Sequence, residues 1–401
     1  SLTFPPNEAK SAIMLLDRAL ESRDLTHDDR FRIRLMRAMR YYQTGDLDRL
    51  SSETQWLIDT VPDSAVAWNL RGISELKAGR EGDALLAYNK ALARNSEYAA
   101  AYRNRGNLNC DLKHYVQALD DCERAVELDP SLRPYVLGVR INALQGNGDV
   151  ATAQTECEAL ERESVVRQQT HIACGIVWGE QNLPERAWNE FDLAVKNPDP
   201  QLPRNYESEY SAIWNRGSAA LEGKRYSEAI ADFNAAEAIQ PGRWRGHQNS
   251  YAHRGVAYLL AKKPDDAVAD LSRAAELMKD DPRRCLVYLW IWDVHLASGR
   301  ATEAAEALRL AAEAATGNKR MANIVGHCAG EAERDTLLSD AANDPNKEAE
   351  TYFYIGLAAK VRGDRNAARD CFELCLKGSA ARESETGLLA DMQLSLLRES
   401  P

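Results

Sequence analysis

A pattern of small and aromatic residues recurs along this sequence about every 34 residues, and it constrains the fold more than any other feature. The stretch from Ala99 to Leu132 shows the pattern most completely. When Gly106 is placed at position 8 of the unit, tyrosine falls at position 4, alanine at 20 and 27, cysteine at 24 and proline at 32. A period of this length is typical of chains that stack one helical hairpin on the next.

The glycine at position 8 has a structural explanation. Glycine inside a helix costs about 1 kcal/mol relative to alanine, so its recurrence requires a compensating contact. We expect the alanine at position 20 to face it, because two residues without bulk let paired helices approach closely. Larger residues at positions 4, 24 and 27 then fill the space around the crossing.

The same offsets are found through most of the chain. Successive units have these residues at position 8: Ala38, Gly72, Gly106, Arg140, Gly175, Gly217, Gly255, Trp292 and Gly356. In four units an arginine precedes the glycine, as Arg71, Arg105, Arg216 and Arg254. The pattern is weaker around Arg140, where the turn after the first helix is expected to contain one additional residue.

These residues resemble the tetratricopeptide repeat (TPR) family. The resemblance implies an all-α fold, a right-handed superhelical solenoid of antiparallel helix pairs with a concave groove. The composition agrees, because Ala, Leu, Glu, Arg and Asp dominate and no convincing run of alternating strand-forming residues occurs. We expect about nine to ten units.

An insertion at residues 196–210 interrupts the predicted array. It contains Pro198, Pro200 and Pro203, and proline does not continue a helix. We expect an N-terminal TPR array in residues 1–195, a second array in 211–316, and a degenerate helical pair, a last unit and a capping helix in 317–401. The cap, at about residues 383–399, is expected to bury one face consisting of Leu388, Leu389, Met392 and Leu396.

Charge and hydropathy limit the class of partner. The net charge of −11 and the pI near 5.3 argue against nucleic acid as a partner. No apolar run reaches the length of a transmembrane helix, so no integral membrane segment is expected. The sequence begins at Ser1 rather than at methionine, from which we expect that a tag, a signal peptide or a lipoprotein leader has been removed. The periplasm or cell envelope and the cytoplasm therefore both stay open.

No pattern in the sequence indicates catalysis. We find no nucleophile elbow, phosphate-binding loop, dinucleotide fingerprint or H-E-x-x-H motif, and we assign no catalytic residue, metal or cofactor. His327, Cys328, Cys371 and Cys375 form a conceivable ligand set, but their spacing matches no usual zinc site. The eight cysteines are expected to serve mainly as small buried hydrophobic residues, although their even number permits disulfides.

The chemistry that the sequence does indicate is recognition. In a TPR stack, positions 2, 5, 6, 9, 12 and 13 of each first helix point into the groove, because they share one helical face. The resulting candidate partner-binding residues are Asn69, Arg103, Asn104, Asn107, Trp214, Asn215, Ser218, His253, Trp290, Asp293, Phe353 and Tyr354. Asparagine at position 6 is suited to hydrogen-bonding an extended peptide. Trp290, Phe353 and Tyr354 are equally compatible with packing against neighbouring helices.

Two short sequence features point to more specific ligands. Arg103 and Asn107 resemble the carboxylate clamp of chaperone-binding TPR domains, but Gly138 stands where the next unit requires asparagine, so we do not expect a chaperone C-terminus. The segment from Gly242 to Arg254 combines arginine, histidine and tryptophan. It is suited to an anion or an acidic peptide, but an ordinary inter-repeat loop explains it better.

We predict a non-enzymatic scaffold or adaptor that binds a protein or peptide in its groove. The C-terminal order of a degenerate pair, the run LLSDAAND, a unit beginning ETYFYIG and a closing helix resembles bacterial envelope TPR lipoproteins that act as adaptors for peptidoglycan hydrolases. That resemblance implies the alternative of an envelope adaptor. An enzyme with an unrecognised site between Asn318 and Asn343 is the other alternative, and homo-oligomerisation stays open.

Overall fold

The computed structural model describes residues 6–162, 166–198, 206–239, 247–377 and 385–399. These ranges form 22 α-helices and contain no strand, which confirms the all-α prediction. The helices are α1 (Pro6–Leu20), α2 (His27–Thr44), α3 (Leu47–Thr60), α4 (Ala65–Lys77), α5 (Glu81–Arg94), α6 (Ala99–Asp111), α7 (Tyr115–Leu128), α8 (Arg133–Gly146), α9 (Val150–Glu158), α10 (Gln168–Glu180), α11 (Pro184–Lys196), α12 (Tyr206–Glu222), α13 (Tyr226–Ile239), α14 (His247–Leu260), α15 (Pro264–Leu277), α16 (Arg284–Ala297), α17 (Ala301–Ala314), α18 (Lys319–Ala329), α19 (Arg334–Ala341), α20 (Pro345–Val361), α21 (Arg365–Cys375) and α22 (Glu385–Glu399).

The turn inside each helix pair is built around one residue with left-handed backbone conformation. It lies seven residues after position 8, and its φ angle is between 59° and 86° in all nine units. These residues are Gly45, Gly79, Lys113, Gly148, Asn182, Lys224, Lys262, Gly299 and Gly363. Left-handed backbone reverses the chain after the first helix, so the second helix packs back against it.

The turn residues correct the predicted register of the fourth unit. Gly148 lies seven residues after Ile141, so Ile141 and not Arg140 occupies position 8. Arg140 then takes position 7, where its Nε donates to Glu156 at 2.6 Å, 16 residues away. The additional residue therefore precedes the first helix rather than lying in the turn after it.

The space beside the position 8 glycine is filled by the side chain at position 24. A Cβ placed on Gly217 would lie 3.0 Å from the Phe233 ring, and one on Gly356 would lie 2.7 Å from the Phe372 ring. The expectation that alanine at position 20 supplies this contact is thus only partly correct. The Ala118 backbone oxygen does approach Gly106, at 3.5 Å from the added Cβ.

The arginine at position 7 joins the two helices of its unit. It pairs with an acidic residue 16 positions later in five units, as Arg37–Glu53, Arg105–Asp121, Arg140–Glu156, Arg216–Asp232 and Arg254–Asp270. In the pair of Arg105 with Asp121, the two N–H···O distances are 2.9 and 2.7 Å, and Asp121 is buried. In three of the four Arg-Gly dipeptides the arginine thus connects the two helices of its repeat, whereas Arg71 pairs with Glu75 on its own helix.

Contacts divide the chain into two large compact parts, named unit 1 and unit 2, each of which contains several of the repeats. Unit 1 comprises residues 1–181 and 189–212, and unit 2 comprises residues 182–188 and 213–401. In unit 2 one continuous hydrophobic core extends from Ala220 to Leu394. In unit 1 the described core consists of several smaller clusters, one of them centred on Leu50 and Leu57. Among the described helices, none has the length and hydropathy needed to cross a bilayer.

Two predicted boundaries lie partly outside the described residues. The described ranges do not include residues 199–205 of the predicted insertion or residues 378–384 before the last helix. The closing helix itself begins at Glu385. It buries Leu389, Ala390, Gln393 and Leu394, whereas Leu396 is 40% exposed, so the predicted apolar face was partly wrong.

Candidate functional site

The predicted groove residues fall into two groups that differ in burial. Five are buried, namely Asn69, Trp290, Asp293, Phe353 and Tyr354. The other seven are half-buried, namely Arg103, Asn104, Asn107, Trp214, Asn215, Ser218 and His253. The half-buried group keeps solvent access and is the part of the prediction that can meet a partner directly.

The aromatic residues of α16 and α20 belong to the core, which corrects their assignment to an open groove. Tyr354 is 0% exposed and Phe353 is 1% exposed. Trp290 donates its Nε1 proton to the Tyr354 hydroxyl at 3.1 Å. Burial therefore raises the pKa of Tyr354 well above its ordinary value. These residues are buried because α16 packs against α15, α17 and α18, and α20 packs against α18, α19, α21 and α22.

Asp293 also faces protein rather than an open groove. It accepts a hydrogen bond from Lys360 Nζ at 2.7 Å and another from Gln393 Nε2 at 2.6 Å. Gln393 lies on the C-terminal helix α22, 100 residues from Asp293 in sequence. The inner position of α16 is thus covered by a distant part of the same chain.

In unit 1 the predicted asparagines form a network across neighbouring first helices. Asn104 on α6 donates its Nδ2 proton to Asn69 Oδ1 on α4 at 2.9 Å. The Asn104 carbonyl accepts from Arg103 Nε and Nη2, at 3.3 and 3.0 Å. The amides that were expected to bind a peptide backbone therefore bind each other, and their combined effect is to hold the Arg103 guanidinium in place.

Tyr135 completes this surface, and the sequence prediction missed it. The Arg103 guanidinium lies 5.7 Å from the centre of the Tyr135 ring, and that of Arg167 lies 4.0 Å from it. With Ile141 at position 8, Tyr135 takes position 2, one of the groove positions. The one-residue register error hid it. We call the surface formed by Asn69, Arg103, Asn104, Asn107 and Tyr135 the Arg103 surface.

The carboxylate clamp is also absent in the corrected register. Position 6 of the fourth unit is now Val139 rather than Gly138. Valine lacks the amide that the clamp requires, so a chaperone C-terminus is still not the expected ligand. Asn107 lies at position 9, and its buried Oδ1 has no hydrogen-bond partner within the described ranges.

The half-buried groove residues of unit 2 form a small aromatic contact. The Trp214 and His253 rings meet edge-on, with centroids 5.0 Å apart. The buried Trp214 Nε1 and Ser218 Oγ have no hydrogen-bond partner in the part of the chain that is described. Residues 242–246 of the segment from Gly242 to Arg254 lie outside that part.

The cysteines provide no reactive thiol among the described residues. Burial raises the pKa of Cys122, Cys285, Cys328 and Cys375 to about 12. Cys157 and Cys174 form a disulfide between α9 and α10, so these two are not the free buried thiols that were expected. No group of three His, Cys, Asp or Glu side chains within the described ranges is arranged to hold a metal ion.

Comparisons with known proteins agree with this fold. Two tetratricopeptide repeat models match residues 99–132 and 181–243. The apo form of the quorum sensor NprR from B. thuringiensis is similar at a TM-score of 0.51 and 14% identity, over 77% of this chain and 97% of that chain. A search of curated proteins found no match.

Two further solved structures are similar at lower scores. A tetratricopeptide repeat protein from Parabacteroides merdae has a TM-score of 0.45 and 15% identity, over 64% of this chain and 96% of that one. The human IFIT1 dimer with m7Gppp-AAAA has a TM-score of 0.49 and 13% identity, over 94% and 87%. At such identities the similarity concerns the fold alone.

Proposed function

Because the chain is a tetratricopeptide repeat protein, we propose that it is a non-enzymatic scaffold that binds an extended segment of a partner protein on the Arg103 surface of unit 1. The repeats build a fold that generally serves binding rather than catalysis.

The positioned guanidinium of Arg103 is the observation that carries the proposal. Asn104 holds two of its N–H groups, and Asn69 in turn holds Asn104. A guanidinium has five N–H donors, so donors are left for another acceptor. Because the side chain is already oriented, little rotamer entropy is lost when a partner binds.

The expected partner segment carries carboxylates. Arg103 places a positive charge beside the Tyr135 ring, and charged hydrogen bonds from arginine to carboxylate are stronger than those to neutral acceptors. An extended segment also presents backbone carbonyls, which accept the remaining donors. We therefore infer a preference for extended segments rich in Asp and Glu.

A peptide selection tests this function. A phage-displayed peptide library is selected on the immobilised full chain, and the enriched peptides are synthesised and titrated by fluorescence polarisation. We expect Asp- and Glu-rich peptides that lose at least 10-fold in affinity for Arg103→Ala, and that bind more weakly as salt increases.

A matched variant controls for a general loss of charge. Arg124 lies on α7, which also belongs to unit 1, and pairs with Glu127 at 2.9 Å at the surface. Arg124→Ala should leave peptide affinity within about 2-fold of the wild type, since single rim charges contribute little to affinity. Enriched peptides that bind Arg103→Ala as tightly as the wild type would exclude the Arg103 surface.

An envelope adaptor is the second candidate, and the disulfide between Cys157 and Cys174 favours it. Disulfides persist in oxidising compartments such as the bacterial periplasm and are rare in the cytosol. Mass spectrometry after alkylation of thiols in freshly lysed source cells checks the compartment. Six alkylated cysteines are expected if this disulfide forms in the cell and the other six cysteines stay reduced, as the structure has them. Eight would argue against the envelope.

A further inference from the structure

The C-terminal helix α22 lies on first helices of unit 2. It contacts α14 and α20 as well as α21, which precedes it in the chain. Through Gln393 it also reaches Asp293 on α16. Since α14, α16 and α20 are first helices, α22 occupies the face that corresponds to the Arg103 surface of unit 1. We call the face formed by α14, α16 and α20 the inner face of unit 2.

A single amide makes the polar connection at the centre of this contact. Gln393 is 1% exposed, its Nε2 donates to Asp293 Oδ2 at 2.6 Å, and its Oε1 accepts from Lys360 Nζ at 2.7 Å. Lys360 and Asp293 also pair directly at 2.7 Å. The ion pair is therefore complete without Gln393, and removal of α22 leaves neither charge without a partner.

The apolar anchorage of α22 is smaller than that of α16. The buried hydrophobic residues of α22 are Leu389, Ala390 and Leu394, and Leu388, Met392 and Leu397 pack partly buried against the same core, whereas ten residues of α16 are buried. The outer ion pair of Asp391 with Lys224 involves side chains that are 52% and 67% exposed, so it adds little to stability. Elements with few buried contacts open more readily than the core to which they bind.

From these contacts we infer that the inner face of unit 2 is a second binding surface, which takes an amphipathic helix from a partner, and that α22 is its resident occupant. The partner helix would reproduce the inward pattern Leu389-Ala390-x-x-Gln393-Leu394, with an amide between aliphatic residues. This inference is independent of the Arg103 surface, because it concerns different helices in the other unit.

Hydrogen exchange of the intact wild-type chain is the first test. The amides of α22 should exchange at least 10-fold faster than those of α16 and α20, because displacement of α22 requires a populated open state. Exchange of α22 at the same rate as α16 would show that the helix is a permanent part of the core and would overturn the inference.

Binding in trans is the second test. A fluorescein-labelled peptide with the sequence of residues 385–399 is titrated into the wild-type chain and into full-length Leu389→Asp/Gln393→Lys, in which only α22 is altered. The disabled variant should bind the peptide at least 10-fold more tightly than the wild type, whose face is occupied. A labelled peptide with Gln393→Ala should bind this variant more weakly.

Ser395→Asp serves as the matched control, because Ser395 lies on the exposed side of α22. It should bind the labelled peptide as weakly as the wild type does. Circular dichroism and thermal unfolding check that each variant is folded. A folded disabled variant that does not bind the peptide, or a disabled variant that no longer unfolds cooperatively, would overturn the inference.

Discussion

The first helices of the two units are made from the same repeat but differ in how deeply several of their groove residues are buried. In unit 1, α6 presents Arg103 and Asn104 half-buried, and their hydrogen bonds run between neighbouring first helices. In unit 2, Trp290 and Tyr354 are buried at corresponding positions, and Gln393 of the chain itself binds Asp293. Repeat position alone therefore does not decide whether a residue is available to a partner. What packs on the face decides it.

The largest expected effect compares a buried groove residue of unit 2 with a half-buried groove residue of unit 1. Phe353→Ala should lower the free energy of unfolding by about 4 kcal/mol, because it empties a fully buried ring position between Tyr354 and Phe372. Arg103→Ala should change it by no more than about 0.5 kcal/mol. Urea denaturation followed by circular dichroism measures both. Similar losses for the two variants would mean that the faces do not differ as described.

The next largest effect concerns the ion pair between the arginine at position 7 and the acidic residue 16 positions later, which occurs in both units. Arg105→Met in unit 1 and Arg254→Met in unit 2 should each cost about 3 kcal/mol, since each leaves a buried aspartate without its cation. The exposed Arg309, replaced by methionine, is the control and should cost less than about 0.5 kcal/mol. If Arg105→Met and Arg254→Met behaved like this control in urea denaturation, the recurring pair would have no structural role.

A third effect is confined to unit 1. Reduction of the disulfide between Cys157 and Cys174, 17 residues apart, should destabilise unit 1 by about 2 to 3 kcal/mol, because it releases a constraint on the unfolded chain. Hydrogen exchange with and without dithiothreitol should show faster exchange in α9 and α10 and no change in α16. The variant Cys157→Ala/Cys174→Ala should not respond to the reductant.

The smallest effect is confined to unit 2 and depends on pH. Burial lowers the pKa of His327 below its usual value, with the nearby Arg362 and Arg334 adding to the shift. The unfolded chain therefore binds a proton first as the pH falls through about 6.5, and stability decreases below that pH until the folded state also binds the proton. The slope is at most about 1.4 kcal/mol per pH unit for this group.

His327→Asn tests the assignment, because its amide can donate to the Ala332 carbonyl as His327 Nδ1 does at 2.8 Å. Thermal unfolding at pH 7.5 and 5.5 should show a smaller difference for His327→Asn than for the wild type. An unchanged difference would assign the acid sensitivity to other groups, of which His295, whose pKa burial also lowers, is the first to examine.

Much of the fold and a part of the candidate site were predictable from the sequence. The glycine at position 8, the large residue at 24 and the arginine at 7 all make contacts within a single unit of about 34 residues. Contacts of this kind recur with the period, so the period reveals them. The Arg103 surface was predicted in outline because Asn69, Arg103 and Asn104 lie at regular groove positions. Tyr135 was missed because a step of 34 residues from Gly106 puts Arg140 rather than Ile141 at position 8.

The sequence by itself thus determined the helix pairs and their turns, because each pair is specified by local contacts that repeat along the chain. Only the tertiary structure decided the state of each inner face. The bond from Gln393 to Asp293 spans 100 residues, and the disulfide joins helices of neighbouring pairs. Neither contact repeats with the period, so no periodic sequence pattern predicts it. Groove positions carry half-buried polar residues on α6 of unit 1, whereas on α16 and α20 of unit 2 they are buried among neighbouring helices, of which α22 is one.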